Sequence, residues 1–388
     1  MTAPLADIAN AATLPGKDAE SHWSAATATP CCRESLNETE RQTLETLAFS
    51  HGEAPESYDV LISSGSVLMS PCGGAALSVL PHLKYWHMPG GILAPDELKP
   101  QVVDWLQEIS QQQRKTIAVY NVNPEHMPLF LEAGYEINKL GEEPVLDLGE
   151  ITWKGKDFEW VRRQTNYCQR AGLEISEFVD EEERVGLAEE MLEVMTEDLS
   201  TRSFSHPLRL LEGEFDPHAL FRRRLFLARH GGTGRIEGFL ACSPMLNGRR
   251  WAFETYRKRS DAPRGTIPFL FRTVVDKLQE EGVEQISLCL VPGKGVNHTP
   301  VPKAGYWMAR WSLNLWYTRL NFLFNAQGQN YFKSRFRPRY VDRFICVTPK
   351  STPISISSFL YVMGGFSPNV PNVMKNLWNS LRSEIPTS

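Results

Sequence analysis

Residues 251–290 constrain this chain more than any other stretch. Positions 251–257 carry the aromatic-rich pattern of a strand, 258–265 a charged turn closed by Asp261-Ala262-Pro263-Arg264-Gly265, 266–281 a helix, and 285–290 a second strand. Two strands joined through a helix require an α/β layer architecture. The first strand ends in an acid and a base, Glu254 and Arg257. They precede a glycine-containing turn at a helix N-terminus, where backbone N–H groups favour polar or anionic ligands.

The rest of the chain repeats this grammar. The first half reads as a helix over 36–49, short strands at 60–62 and 66–69 about a Ser63-Ser64-Gly65 turn, a helix over 96–112, and a strand at 116–122. A short helix over 124–133 stopped by Gly134 and a strand at 135–140 complete it. The second half reads as a helix over 158–171 stopped by Gly172, a helix over 181–199, and strands at 225–229 and 236–242 around a glycine-rich turn. The 251–290 stretch, a helix over 304–320 and a strand at 340–347 follow. Strands in a meander followed by helix, strand, helix, strand, seen twice, predict two copies of one α/β unit meeting near residues 148–152. The expected organisation is a disordered leader over 1–35, a first unit over 36–150 and a second, catalytic unit over 151–349. A tail over 350–388 holds an amphipathic helix at 370–381, with Val373, Leu377, Trp378 and Leu381 on one side.

Charge separates the halves further. The net charge is −5, yet between Arg249 and Arg343 there are 17 Lys+Arg against 7 Asp+Glu, a local +10, leaving −15 elsewhere. This basic half suggests an anionic partner such as RNA, an acidic lipid surface or a phosphorylated molecule, against the plainer reading of a solvated charged face. The seven cysteines match no zinc spacing, and no metal is expected. Buried thiols at Cys242 and Cys289 fit a reducing, cytoplasmic setting. No apolar run is long enough to be an integral membrane segment. The aromatics from Trp307 to Phe324 have helical spacing and read mostly as core, with a lipid-facing groove as the alternative.

The organisation resembles two tandem GNAT-like acyltransferase folds, mixed sheets flanked by helices. The motifs resemble the C-terminal lipid aminoacyltransferase domain of the phosphatidylglycerol lysyltransferases. The run Gly141-Glu142-Glu143-Pro144-Val145-Leu146-Asp147-Leu148 is similar to the family signature, and Arg162-Arg163-Gln164-Thr165-Asn166 to its Arg-then-Asn helix. Glu214-Phe215-Asp216-Pro217, Glu254-Thr255-Tyr256-Arg257, Asp261 to Gly265, Asn325-Ala326-Gln327-Gly328, Phe332-Lys333 and Asp342-Arg343-Phe344 follow in family order. Two departures stand out: the strand acid is Glu254 where the family has Asp, and Asp198 takes the place of a Trp. The multi-span flippase often fused upstream has no counterpart in this sequence, so the expectation is a protein that modifies a lipid without translocating it.

The resemblance implies transfer of an aminoacyl group from aminoacyl-tRNA, as co-substrate, to a lipid hydroxyl such as that of phosphatidylglycerol, with no other cofactor. Its partners would be aminoacyl-tRNA and an anionic phospholipid or membrane surface. The protein would be cytoplasmic or peripheral at the inner membrane face. The ester on tRNA is already activated, which fits the lack of a phosphate-binding Gly-x-x-x-x-Gly-Lys loop. Glu254 is the candidate base or ammonium anchor and Arg257 its partner, although three residues along a regular strand they face opposite sides and converge only at a bulge. Arg163 and Asn166 are candidate substrate-binding residues on a helix. Asp261 and Arg264 shape the turn, with Asp261 as a possible helix cap. Lys333 and Arg343 would meet a phosphate or the tRNA terminus. For each, the plainer reading is an exposed charge or a structural role. The alternatives at the level of function are a GNAT-type acyltransferase using acyl-CoA or an acyl carrier, and a non-catalytic RNA- or membrane-binding protein.

Overall fold

The computed structural model describes residues 23–62, 65–178, 186–298 and 305–383. The first half contains β1 (Cys31–Cys32), α1 (Glu38–His51), a 3-10 turn (Pro55–Leu61), β2 (Ser66–Met69), β3 (Ala76–His82) and β4 (Tyr85–Met88). It continues with α2 (Lys99–Gln112), β5 (Thr116–Val122), α3 (Met127–Glu132) and β6 (Glu136–Asp147). The second half contains α4 (Glu159–Arg170), β7 (Leu173–Phe178), α5 (Ala188–Ser200), β8 (Arg224–His230), β9 (Ile236–Met245), β10 (Arg250–Lys258), α6 (Thr266–Glu280), β11 (Gln285–Ser287) and β12 (Val291–Pro292). Then come α7 (Trp307–Arg319), α8 (Asn321–Phe324), α9 (Ala326–Ser334), β13 (Arg339–Thr348), α10 (Pro353–Met363) and α11 (Val370–Ser383).

The expected duplication is present in the strand pairing. In the first half β2, β3 and β4 form an antiparallel meander, and α2 carries the chain to β5, which pairs parallel with β4. In the second half β8, β9 and β10 form the meander, and α6 carries the chain to β11, parallel to β10. Each crossover helix buries one apolar face against its sheet: Val102, Val103, Leu106 and Ile109 from α2, and Leu270, Val274 and Leu278 from α6.

The halves are joined by exchanged strands. The sheet runs β1-β2-β3-β4-β5-β13-β6-β11-β10-β9-β8-β7. The last strand of the first half, β6, pairs with β11 of the second, and β13, late in the chain, lies between β5 and β6. One sheet therefore crosses the position near residue 150 where the two units meet in sequence.

Local departures from the sequence reading have physical causes. The strand expected at 60–62 is the end of the 3-10 turn, opened by Pro55 and tied by the Ser57 hydroxyl, which accepts from Ala54 N at 3.1 Å. The strand expected to reach 290 ends at Ser287, because Cys289 adopts φ 64° and turns the chain toward β12. Residues 1–22 of the expected disordered leader lie outside the described residues. From Trp23 onward the leader is folded: Trp23 packs edge-on against Trp105 at 5.3 Å and β1 pairs with β2. The Ser63-Ser64 turn, the start of the helix expected at 181 and the start of that expected at 304 also lie outside the described residues. Of the late aromatics, Trp316 is core while Trp307 and Trp311 are exposed.

Candidate active site

The site is built on an irregularity in β10. Its pairing with β9 runs Arg250↔Met245 to Phe253↔Cys242 and resumes at Thr255↔Ala241, so Glu254 is the extra residue of a bulge. A bulge re-aims side chains that a regular strand would send to opposite faces. Here Glu254 and Arg257 both reach the segment Glu212-Gly213. Arg257 Nη2 lies 2.8 Å from Glu212 Oε2, and a Cβ placed on Gly213 would fall 2.1 Å from Glu254 Cγ.

Glu254 sits inside a buried polar cluster assembled from both halves. Arg223, whose side chain is 1% exposed, directs Nη2 to Asp59 Oδ1 at 2.6 Å and Nε to Ser243 Oγ at 2.8 Å. Both nitrogens approach Glu254 Oε2 at 3.4 Å, and the Ser243 hydroxyl donates to the same oxygen. Burial, then the Glu254 charge, pushes the Asp59 carboxyl well above the usual range, with Arg223 pulling against them. Nearby, burial raises Glu56 to about 7, and Asn121 Nδ2 donates to its Oε2 at 2.6 Å. Glu56, Asp59, Arg223 and Ser243 were not found from the sequence. Reading 60–62 as a strand hid the turn that aims the two acids inward, and an Arg inside the run Arg222-Arg223-Arg224 carries no local sign of burial.

Beside this cluster opens a polar cavity of about 730 Å³, lined by Arg202, Glu212, Tyr256, Asn325, Gln329 and Asn376 among others. Arg202 and Glu212 line it, and behind them Asp198 and Arg257 complete an alternating set of charges. Arg202 Nη2 is 2.6 Å from Asp198 Oδ2, Arg202 Nη1 is 3.3 Å from Glu212 Oε1, and Arg257 Nε is 3.6 Å from Asp198. Burial lowers the Arg257 pKa, while for Arg202 the neighbouring Glu212 and Asp198 outweigh burial and raise it. A second, apolar cavity of about 310 Å³ lies under α7 and α10, lined by Tyr120, Leu313, Trp316, Phe359 and others. Leu323 and Phe324 line both cavities and form the wall between them.

This geometry accompanies a family match over most of the chain. Residues 44–347 match the family model described as phosphatidylglycerol lysyltransferase, C-terminal. The chain belongs to that family. A phosphatidylglycerol lysyltransferase of Bacillus subtilis is 24% identical over 265 residues, covering 67% of this chain and 29% of the relative. A lysylphosphatidylglycerol biosynthesis bifunctional protein of Rhodococcus opacus is 22% identical over 323 residues, covering 78% of this chain and 27% of that protein. The chain thus spans less than a third of the length of these curated relatives. Among solved structures, the C-terminal domain of a proposed lysylphosphatidylglycerol synthetase from Agrobacterium fabrum superposes with a TM-score of 0.66 at 20% identity, covering 84% of this chain and 95% of that one. L-PGS from Bacillus licheniformis gives 0.65 at 20% identity, covering 85% and 97%. These likenesses establish the fold.

Within this family fold the residues expected from sequence divide sharply. Glu254 and Arg257 are brought to one segment, but neither lines the cavity: the Gly213 backbone covers the Glu254 carboxylate. Lys333 is buried, with its ammonium 3.0 Å from Cys289 O and 3.2 Å from Leu290 O, so it holds the turn between β11 and β12, and burial lowers its pKa. Arg343 does not lie on an exposed basic face. It is 1% exposed, paired to Glu143, and also donates to Asn123 Oδ1 and to the carbonyls of Asn121 and Glu53. Its fork fastens β13 between β5 and β6. Arg163 and Asn166 are exposed on α4, away from the cavity wall. Asp261 does not cap α6, whose N-cap is Gly265 without a side-chain bond. It is exposed and forms a two-pronged pair with Arg235 at 3.0–3.1 Å. Arg264 lies over the Tyr167 ring at 5.5 Å. Asp198, noted only as a departure from the family pattern, lies behind the cavity wall and pairs with Arg202, which lines it.

Proposed function

We propose that this protein transfers an aminoacyl group from aminoacyl-tRNA to the hydroxyl of a phospholipid such as phosphatidylglycerol, working at a membrane surface. The observation that carries this reading is the adjoining pair of cavities within a family match spanning residues 44–347. The polar cavity suits an aminoacyl ester and a phosphate-bearing headgroup; the apolar one suits an aliphatic chain.

The lipid hydroxyl oxygen attacks the ester carbonyl, a new acyl–oxygen bond forms, and the bond to the ribose oxygen breaks. The hydroxyl proton ends on that ribose oxygen. One ester replaces another, so no further energy source is required. Glu212 faces the cavity and pairs with the substrate ammonium, and Arg202 faces it as a site for anionic oxygen. Glu254 and Arg257 act as positioning residues: Arg257 fixes Glu212, and Glu254 supports Gly213 from below.

The test is purified protein with phosphatidylglycerol vesicles and tRNA charged with labelled amino acids. Label enters the lipid phase and is lost when the tRNA is first digested with ribonuclease. Absence of labelled lipid with every charged tRNA, together with stabilisation by acyl-CoA, would falsify the reading. Glu212→Gln is expected to lower kcat/KM roughly 10- to 100-fold, the cost of losing a charge-assisted contact.

A further inference from the structure

α11 buries only part of its apolar face: Val373 and Leu377 are half-buried, and the rest of that face points outward. A helix on a protein surface ordinarily buries its apolar stripe and exposes its polar one. Here the inward face is held by asparagines: Asn372 Nδ2 donates to Ser200 O and Arg202 O, both at 2.7 Å, and Asn376 Nδ2 to Ser203 Oγ at 3.0 Å. The opposite face carries Val370, Met374 and Trp378, spaced one turn apart and 62%, 59% and 58% exposed. The preceding segment adds Ile354, Tyr361 and Phe366, each at least 60% exposed. Six of the thirteen exposed large hydrophobics among the described residues fall between 354 and 378. Over 350–388 there are three basic residues, Lys350, Lys375 and Arg382, against one acidic one, Glu384, in a chain whose net charge is −5. This segment lies beyond the end of the family match at residue 347.

We infer that the outward face of α11, with the exposed residues of α10 and the loop between them, is a docking surface for an anionic lipid bilayer. Outward apolar side chains including Trp and Tyr, on a segment whose charges are mostly cationic, fit the boundary between headgroups and acyl chains. A protein partner would need its own cover for this stripe, and nothing in the charge pattern favours one over a negatively charged membrane. Docking also bears on the cavity. Asn376, Asn379 and Ser380 line it, and Asn372 holds the carbonyl of Arg202. A seated α11 therefore brings the rim of the polar cavity to headgroup depth. The inference rests on the proposed lipid acceptor only for this last consequence, not for the docking itself.

The experiment is flotation of the full chain with vesicles of phosphatidylcholine alone or mixed with phosphatidylglycerol, paired with transfer assays on bilayer and on short-chain, monomeric phosphatidylglycerol. Wild-type protein floats with the mixed vesicles. Val370→Asp and Met374→Asp each weaken binding about tenfold or more by placing a charge in the apolar stripe, and Lys375→Glu weakens it roughly fivefold, only where the vesicles are anionic. The Asp variants keep wild-type transfer to the monomeric lipid, which also shows that they are folded. The inference is overturned if wild-type protein does not float, if the variants float equally, or if the stripe instead mediates a wild-type dimer that Met374→Asp dissociates. Flotation without any transfer would sink the proposed function and leave the docking surface standing; transfer to bilayers without flotation would do the reverse.

Discussion

At the scale of single residues, the buried carboxyls make the sharpest statements. Glu56 keeps its proton to about pH 7 in the folded chain, against an ordinary value of 4.5. Across that window the folded state holds a proton that the unfolded chain has released, so this residue's contribution to stability is full below the window. It is lost as pH rises through the folded value. Glu56→Gln keeps an oxygen for Asn121 without titrating. Its stability relative to wild type should rise by up to about 3 kcal/mol between pH 4.5 and 8, read from urea unfolding at several pH values. Gly213 offers a second test, because a Cβ there meets the Glu254 side chain. Gly213→Ala should cost about 1–3 kcal/mol, and Glu254→Asp, one methylene shorter, should recover part of it. A double-mutant cycle showing strict additivity would contradict the contact.

At the scale of elements, β13 decides whether the halves hold together. It pairs with β5 and β6, and Arg343 and Glu143 are both buried along it. Burial alone would raise the Glu143 pKa, but Arg343 and Arg250 hold it low, so the pair is charged. Arg343→Met leaves that buried carboxylate only the 3.4 Å contact to Arg250 as an ion pair and should destabilise the protein by about 3–5 kcal/mol. Hydrogen exchange on β5 and β6 reports the effect locally. The bulge in β10 works the same way at the site: one extra residue turns an acid and a base three positions apart toward one segment.

At the scale of the whole molecule, the duplicated halves are not independent. Each completes the other's sheet, and Asp59 from the first enters the polar cluster of Arg223 and Glu254 in the second. A fragment beginning at Ile151 lacks both neighbours of β13 and the Asp59 of that cluster. It should fail to give the circular dichroism and cooperative melting of the full chain, and mixing it with the fragment ending at Glu150 should restore them.

The sequence by itself determined the repeated meander–helix–strand units, the helices read at 96–112 and 266–281, and the family motifs, because periodicity, caps and turns are local and are written in neighbouring residues. It also pointed to Glu254 and Arg257 and named the bulge as the condition for their meeting. Only the tertiary structure decided which charges are buried. Arg343 and Lys333 read as a basic face and are interior fasteners, while Asp59 and Arg223, 164 positions apart, meet in the core. Whether a charge is desolvated depends on what folds over it, and strand exchange brings that cover from the other half of the chain.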